Sequence, residues 1–277
     1  MNLDMNLDSA IAEAAPGRRS FSRWLGFGLL ALLVVFAVAV PGFWHTDMAR
    51  QDYNAILAGP MAGHPLGTDH LGRDMLARLA AALRLSLGLA LVSVASAAVP
   101  GAVLGVLAAW HGGAIDKGLG LLAELFLALP GLLLVLLVVA IYPGSFLALY
   151  AAIALVLWVE YFRMTRALAR TVLASPAVAA TRLLGFGPLY IVRRHLWPEL
   201  ASVLSTLAAF GAASAIMAIA ALGFVSVGVR PPTAELGLMI TELLPYFAEA
   251  PSIIAMPIVV IFLIVLSLML IAGGRKP

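Results

Sequence analysis

Six long apolar stretches govern what this chain can fold into, because each is able to cross a bilayer as a helix. About 20 helical residues span the roughly 30 Å hydrocarbon layer. Stretches near that length or longer occupy residues 24–43, 85–109, 119–141, 146–164, 200–229 and 252–272. Hydrophobic residues make up 63% of the 277 and charged ones only 11%, a composition that requires lipid as the solvent. The expected fold class is an all-α integral membrane protein with six transmembrane helices. The chain has no cysteine, so disulfides, thiolate metal sites and cysteine nucleophiles are excluded.

Charge placement sets the orientation. Arg18, Arg19 and Arg23 precede the first stretch and put the N-terminus in the cytoplasm by the positive-inside rule. Alternation then gives the cytoplasmic side Lys117, Arg163, Arg166, Arg170, Arg182, Arg193, Arg194, Arg275 and Lys276, with the C-terminus also inside. The outer side keeps Arg50, Arg73, Arg78, Arg84 and Arg230. This sidedness accounts for the net charge of +3, and no nucleic-acid partner is expected. Ala37-Val38-Ala39 suits a cleavage site after an apolar run, but the run is long for a leader and a tail precedes it, which favours a retained span. The tail opens with a tandem MNLD-MNLD, read as a start-site duplication or a disordered lead.

Residues 163–198 concentrate six arginines in helix-forming sequence between two apolar blocks. The pattern predicts a helix over 161–174, a break at Ser175-Pro176, a short helix to Leu184 and a glycine turn at Gly185 and Gly187. Ser175 is a good N-cap, Pro176 suits the first helical position, and Gly185 can take the left-handed conformation that ends a helix. Such a helix would lie across the membrane surface and present Val178, Arg182 and neighbouring apolar side chains to a partner protein. The plainer alternative is an amphipathic connector held by anionic lipid, and the residues alone leave the two even.

The segment before the second stretch is rich in Gly, Pro, His and Asp up to Asp74 and then turns helical. His64, Asp69, His70 and Asp74 are metal-ligand types, but their spacing is not that of a closed metal site. Asp69, Gly72 and Asp74 read better as a turn leading to an N-cap, followed by an interfacial helix over 74–84, with Gly67, Thr68 and Arg73 in the same outer segment.

Three separated words carry a family resemblance. His64-Pro-Leu-Gly-Thr-Asp-His-Leu-Gly-Arg-Asp74, followed by Met-Leu-Ala-Arg78, resembles the HPLGTDxLGRDxxSR signature of permease subunits of peptide and nickel ABC importers, second permease type. Trp158, Tyr161, Arg163 and Arg166, then Ala179-Ala180-Thr181-Arg182-Leu183-Leu184-Gly185 and Pro198, follow that family's W-x-x-Y-x-R-x-x-R and EAA-x-x-x-G loop. Residues 222–240 match its LGFLGLGVxPPTPEWGxML. Two departures stand out: Ala179 replaces the glutamate of the EAA word, and Gly273-Gly-Arg-Lys-Pro277 stands where the family has GDxLRDxLDP.

The resemblance implies a type I ABC importer permease fold, a homologous second permease, two ATPase subunits and a periplasmic solute-binding protein, in the bacterial inner membrane. It makes 163–198 the ATPase-coupling loop. The sequence has no G-x-x-x-x-G-K-[ST] phosphate loop, so no enzyme activity or bound cofactor is expected here, and ATP and Mg belong to the partners. The cargo would be a peptide, nickel or a metal chelate.

Glu124, near an end of the third stretch, is a candidate for gating or for pairing with an arginine. Gly101 and Gly105 mark close helix approach, and Pro100, Pro130 and Pro257 predict kinks. The layout is then a tail (1–23), a first span (24–43), a periplasmic segment (44–84), a five-helix core (85–272) and a short end (273–277). A stand-alone secondary transporter or channel is the alternative, but no internal repeat and almost no midplane charge support it.

Overall fold

The computed structural model describes residues 16–44 and 47–273. The MNLD repeat and the basic residues Arg275 and Lys276 lie outside them. The described chain is helical, with only two isolated bridges, Met61 with His64 and Thr68 with Asp74. Helix α1 covers Pro16–Phe43, α2 Met75–His111, α3 Gly113–Leu127, α4 Gly131–Ile141 and α5 Phe146–Leu173. The short α6, Pro176–Leu183, and α7, Pro188–Ile191, lead through a π-helical turn at Val192–Leu196 into α8, Trp197–Phe224. Then follow α9, Leu236–Leu243, and α10, Pro251–Gly273. Among the described residues five helical segments are long and apolar enough to cross a membrane, and α3 with α4 forms a bent pair that makes six if the pair is one span.

Three expectations are corrected. The helix expected over 74–84 is not a separate interfacial element: it forms the first turns of α2, which runs unbroken for 37 residues. Met75, Arg78, Leu79 and Leu83 are buried, so this segment packs inside the protein. The third stretch does not cross as one rod, because α3 and α4 meet at 79° across the break that contains Pro130. A proline disfavours helical conformation in the residue before it, and Leu129 stands there. By contrast, α2 and α10 continue through Pro100 and Pro257. The fifth stretch stops at Phe224 rather than 229, and the chain turns there through Ser226, whose φ is +60°.

The bundle is organised around α2 and α5. Lipid offers no hydrophobic drive between spans, so contact relies on close packing and small residues. A Cβ added at Gly101 would lie 2.7 Å from the Trp158 carbonyl oxygen, and one at Gly105 2.8 Å from that of Phe162. The spacing therefore sets two backbones against each other. The Tyr161 hydroxyl donates to the Leu207 carbonyl at 3.2 Å and ties α5 to α8. Helix α10 is sandwiched by α1 and α8, with Gly26 of α1 set closely against the Ser267 backbone.

Candidate functional site

Two polar assemblies stand at opposite ends of α2. At its N-terminal end the signature folds into a compact turn. Gly67 and Gly72 have φ of +78° and +72°, and a Cβ on Gly72 would fall 1.9 Å from the Asp52 carbonyl oxygen, so only glycine fits. Buried Thr68 donates its hydroxyl to the Ala55 carbonyl and accepts from the Ala58 amide at 3.0 Å. Asp74 is the N-cap of α2, accepting from the Ala77 amide at 2.8 Å, and it also receives the Trp44 indole at 3.2 Å. His64 Nδ1 lies 2.9 Å from its other oxygen.

Asp69 holds the centre of this turn. Its Oδ1 accepts from the Leu71 and Arg73 amides at 2.8 and 2.9 Å, and its Oδ2 takes Arg73 Nε at 2.6 Å. Arg73 and Arg78, both buried, converge on Glu242 of α9 at 3.1 and 2.5 Å. Arg78 also stands 3.3 Å from Asp69. Two carboxylates and two guanidiniums thus fasten α9 to the start of α2. His70 stacks on Tyr246 at 5.4 Å, and burial depresses its pKa from the usual value, outweighing the pull of Asp69 and Glu242.

Helix α9 is seated just as closely on α8. A Cβ at Gly237 would lie 1.9 Å from the Ala220 carbonyl oxygen. Glu235 caps α9, accepting from the Gly237 and Leu238 amides at 3.0 and 2.8 Å. Burial pushes its carboxyl pKa up against those hydrogen bonds.

The second assembly surrounds α6. The Ser175 hydroxyl caps the helix at the Val178 amide, Pro176 fills the first turn, and Gly185 follows with φ of +80°. Thr181 is buried, and its hydroxyl donates to the Ala177 carbonyl at 2.8 Å and lies 3.0 Å from His195 Nε2. Val178, expected to face a partner, is instead fully buried and anchors the helix inward. The outward surface is apolar: Leu183, Leu184 and Leu189 are 89%, 75% and 79% exposed. Arg182 lies over the Trp110 ring at 5.5 Å, which joins α6 to the end of α2. Ala179 and Ala180 are exposed on α6, while Pro198 lies in the first turn of α8.

Asp116, in the first turn of α3, receives Arg166 Nε at 2.5 Å and also pairs with Arg170. Sequence reasoning singled out Glu124 for such a pairing. Glu124 is exposed and, among the described residues, makes no direct ion pair; it acts on Arg166 only from a distance, while Asp116 makes the contact. Glu242 was likewise not singled out, lying 169 residues from Arg73. Among the described residues no group of three His, Cys, Asp or Glu side chains is placed to hold a metal ion.

Five long apolar helices and one bent apolar pair, pinned by buried ion pairs at one end and displaying a short apolar-faced helix at the other, suit a membrane-embedded subunit with an exposed partner-facing end. Residues 101–273 match the family of binding-protein-dependent transport system inner membrane components, and the chain belongs to that family. It is 37% identical over 259 residues to the di/tripeptide transport system permease protein DppC of Pseudomonas aeruginosa, covering 91% of this chain and 86% of that one. It is 32% identical over 258 residues to the nickel transport system permease protein NikC of Escherichia coli K12, covering 92% and 93%. The glutathione transport system permease protein GsiD of Pectobacterium atrosepticum is 30% identical over 255 residues, with 90% and 83% covered.

Among solved structures, the MetNI methionine ABC transporter in an inward-facing conformation matches with a TM-score of 0.52 at 18% identity, covering 69% of this chain and 94% of that one. That likeness establishes the type I ABC importer permease fold. The chain is a multi-pass permease subunit of a binding-protein-dependent ABC importer, not an enzyme, and its family implies ATPase and binding-protein partners.

Proposed function

We propose that this subunit forms half of a translocation pathway for small peptides, nickel or a metal chelate, and that α6 is where an ATPase subunit docks. The complex on this reading contains a homologous second permease, two ATPases that bind ATP and Mg, and a periplasmic solute-binding protein. Both termini and α6 face the cytoplasm, and the ion-paired turn with α9 faces the binding protein. The peptide and nickel relatives support the cargo range.

One observation carries the docking assignment. Helix α6 is held from within by Val178 and by Thr181 at His195, so its outer face is fixed in place while three leucines remain bare. Apolar side chains grouped at a polar, arginine-bearing end mark a protein interface. The glutamate that relatives carry in the EAA word is Ala179 here, so contact on this face relies on apolar burial and Arg182. Leu183→Asp tests this reading in the chain co-expressed with its second permease and ATPases. Expression should stay at the parental level while ATPase retention falls by about tenfold, as loss of one well-buried leucine at an interface predicts. Full retention with parental ATP-driven uptake would remove α6 from the docking role.

A further inference from the structure

A cavity of about 590 Å³ opens beside the last turns of α5. Its lining includes Glu160, Arg163 and Arg170 of α5, Leu127 of α3 and Leu207 of α8. Residues 160, 163, 164, 167 and 170 recur at helical spacing and form one exposed stripe, while Tyr161, Phe162, Thr165 and Ala169 turn inward. The charges on this stripe are not equivalent. Arg166 and Arg170 are held by Asp116. Among the described residues Glu160 and Arg163 make no ion pair, even with each other, although they are three residues apart on one helix face.

We infer that this cavity is a transit site for a small zwitterion, with Arg163 receiving a carboxylate and Glu160 an ammonium group. Opposite charges three residues apart place their Cβ atoms about 5–6 Å apart. Two extended residues of peptide separate their terminal charges by about 7 Å, within reach of these two long side chains. The walls contributed by Leu127, Val159, Met164, Ala167 and Leu207 are apolar and accept small side chains without selecting among them. A bare divalent cation suits the cavity poorly: Glu160 is the one carboxylate in its lining, whereas such ions gather several oxygen or nitrogen donors. Bidentate guanidinium–carboxylate pairing gives the site its orientation. The assignment rests on the transport reading above and narrows its cargo to peptides.

The chain has no cysteine of its own, so Ala167→Cys places a single reporter in the cavity wall. In the assembled complex in nanodiscs, alkylation of residue 167 by N-ethylmaleimide is followed by mass spectrometry. Dialanine at about three times its dissociation constant should slow the reaction about fourfold, because only the free fraction reacts. N-acetyl-dialanine amide, which has neither charge, and nickel chloride should leave the rate unchanged. Arg163→Gln or Glu160→Gln should abolish protection, and Arg163→Lys should restore part of it. Equal protection by the uncharged peptide, or none by dialanine, would overturn the site. Protection by glycerophosphoethanolamine but not dialanine would reassign it to a lipid headgroup and overturn it as well. Retention of the ATPases in the same preparation reports separately on whether the complex is coupled.

Discussion

Glu242 is one carboxylate shared by two buried guanidiniums, and the end of the bundle where it sits depends on such economies. Removing one partner from a buried ion pair costs roughly 3–5 kcal/mol, because the charge left behind keeps no compensation. His70 adds a pH dependence to this end. It stacks on Tyr246 with Asp69, Glu242, Arg73 and Arg78 around it, and its depressed pKa means the fold prefers the neutral ring. Stability from that preference is complete above the ordinary histidine pKa near 6.5 and is lost as pH falls through the lower folded value. Thermal unfolding followed from about pH 8 to about pH 5 should therefore show a falling midpoint below about pH 6.5. His70→Phe, which keeps the stack, should flatten that fall, and an unchanged profile would show that another group sets it. The turn chemistry around Asp69, Gly72 and Asp74 was readable because donors and acceptors stand within a few residues of one another. Glu242 and Asp116 were not, since local sequence does not say which distant arginine a carboxylate will meet.

Elements were legible where their ends carry chemistry and illegible where only hydrophobicity marks them. Ser175, Pro176 and Gly185 bound α6 as a cap, a first-turn proline and a left-handed stop, and the sequence pattern alone predicts that helix. The start of α2 lay ten residues earlier than the apolar stretch suggested, because its first turns are buried by protein rather than by lipid. One residue of α6 was misplaced: Val178 was expected outward beside Leu183, but both are apolar and only the fold tells that Val178 is covered. Gly185 has φ of +80°, and a Cβ there would meet no atom within 4 Å, so substitution strains the backbone alone. A side chain in that conformation costs on the order of 1 kcal/mol, more when β-branched. Gly185→Val should insert and express near normally while ATP hydrolysis no longer drives uptake, or while the ATPases dissociate. Uptake at the parental rate with both ATPases bound would show that the turn has no part in coupling.

At the scale of the whole molecule, the apolar stretches located the five long apolar helices and the bent pair, and the arginines suggested a direction. The break between α3 and α4 lay at an expected proline, yet two other prolines sit within continuous helices, so the residue type did not decide which stretch would break. Direction is open to a simple measurement. A cysteine replacing Gly187 should react with a membrane-impermeant thiol reagent only after cells are opened, and one replacing Asn54 should react in intact spheroplasts. The reverse pattern would invert the protein in the membrane. Helix α2 then gains a mechanical meaning. It carries Arg78 at the ion-paired turn and Trp110 under Arg182 beside α6, about 48 Å apart along one continuous helix about 55 Å long. A rod of that kind keeps its length, and tilting it by about 5° about its midpoint shifts its two tips by about 2 Å in opposite senses. On the proposed assembly, the end that would face a binding protein and the end that would face an ATPase are the two arms of one lever.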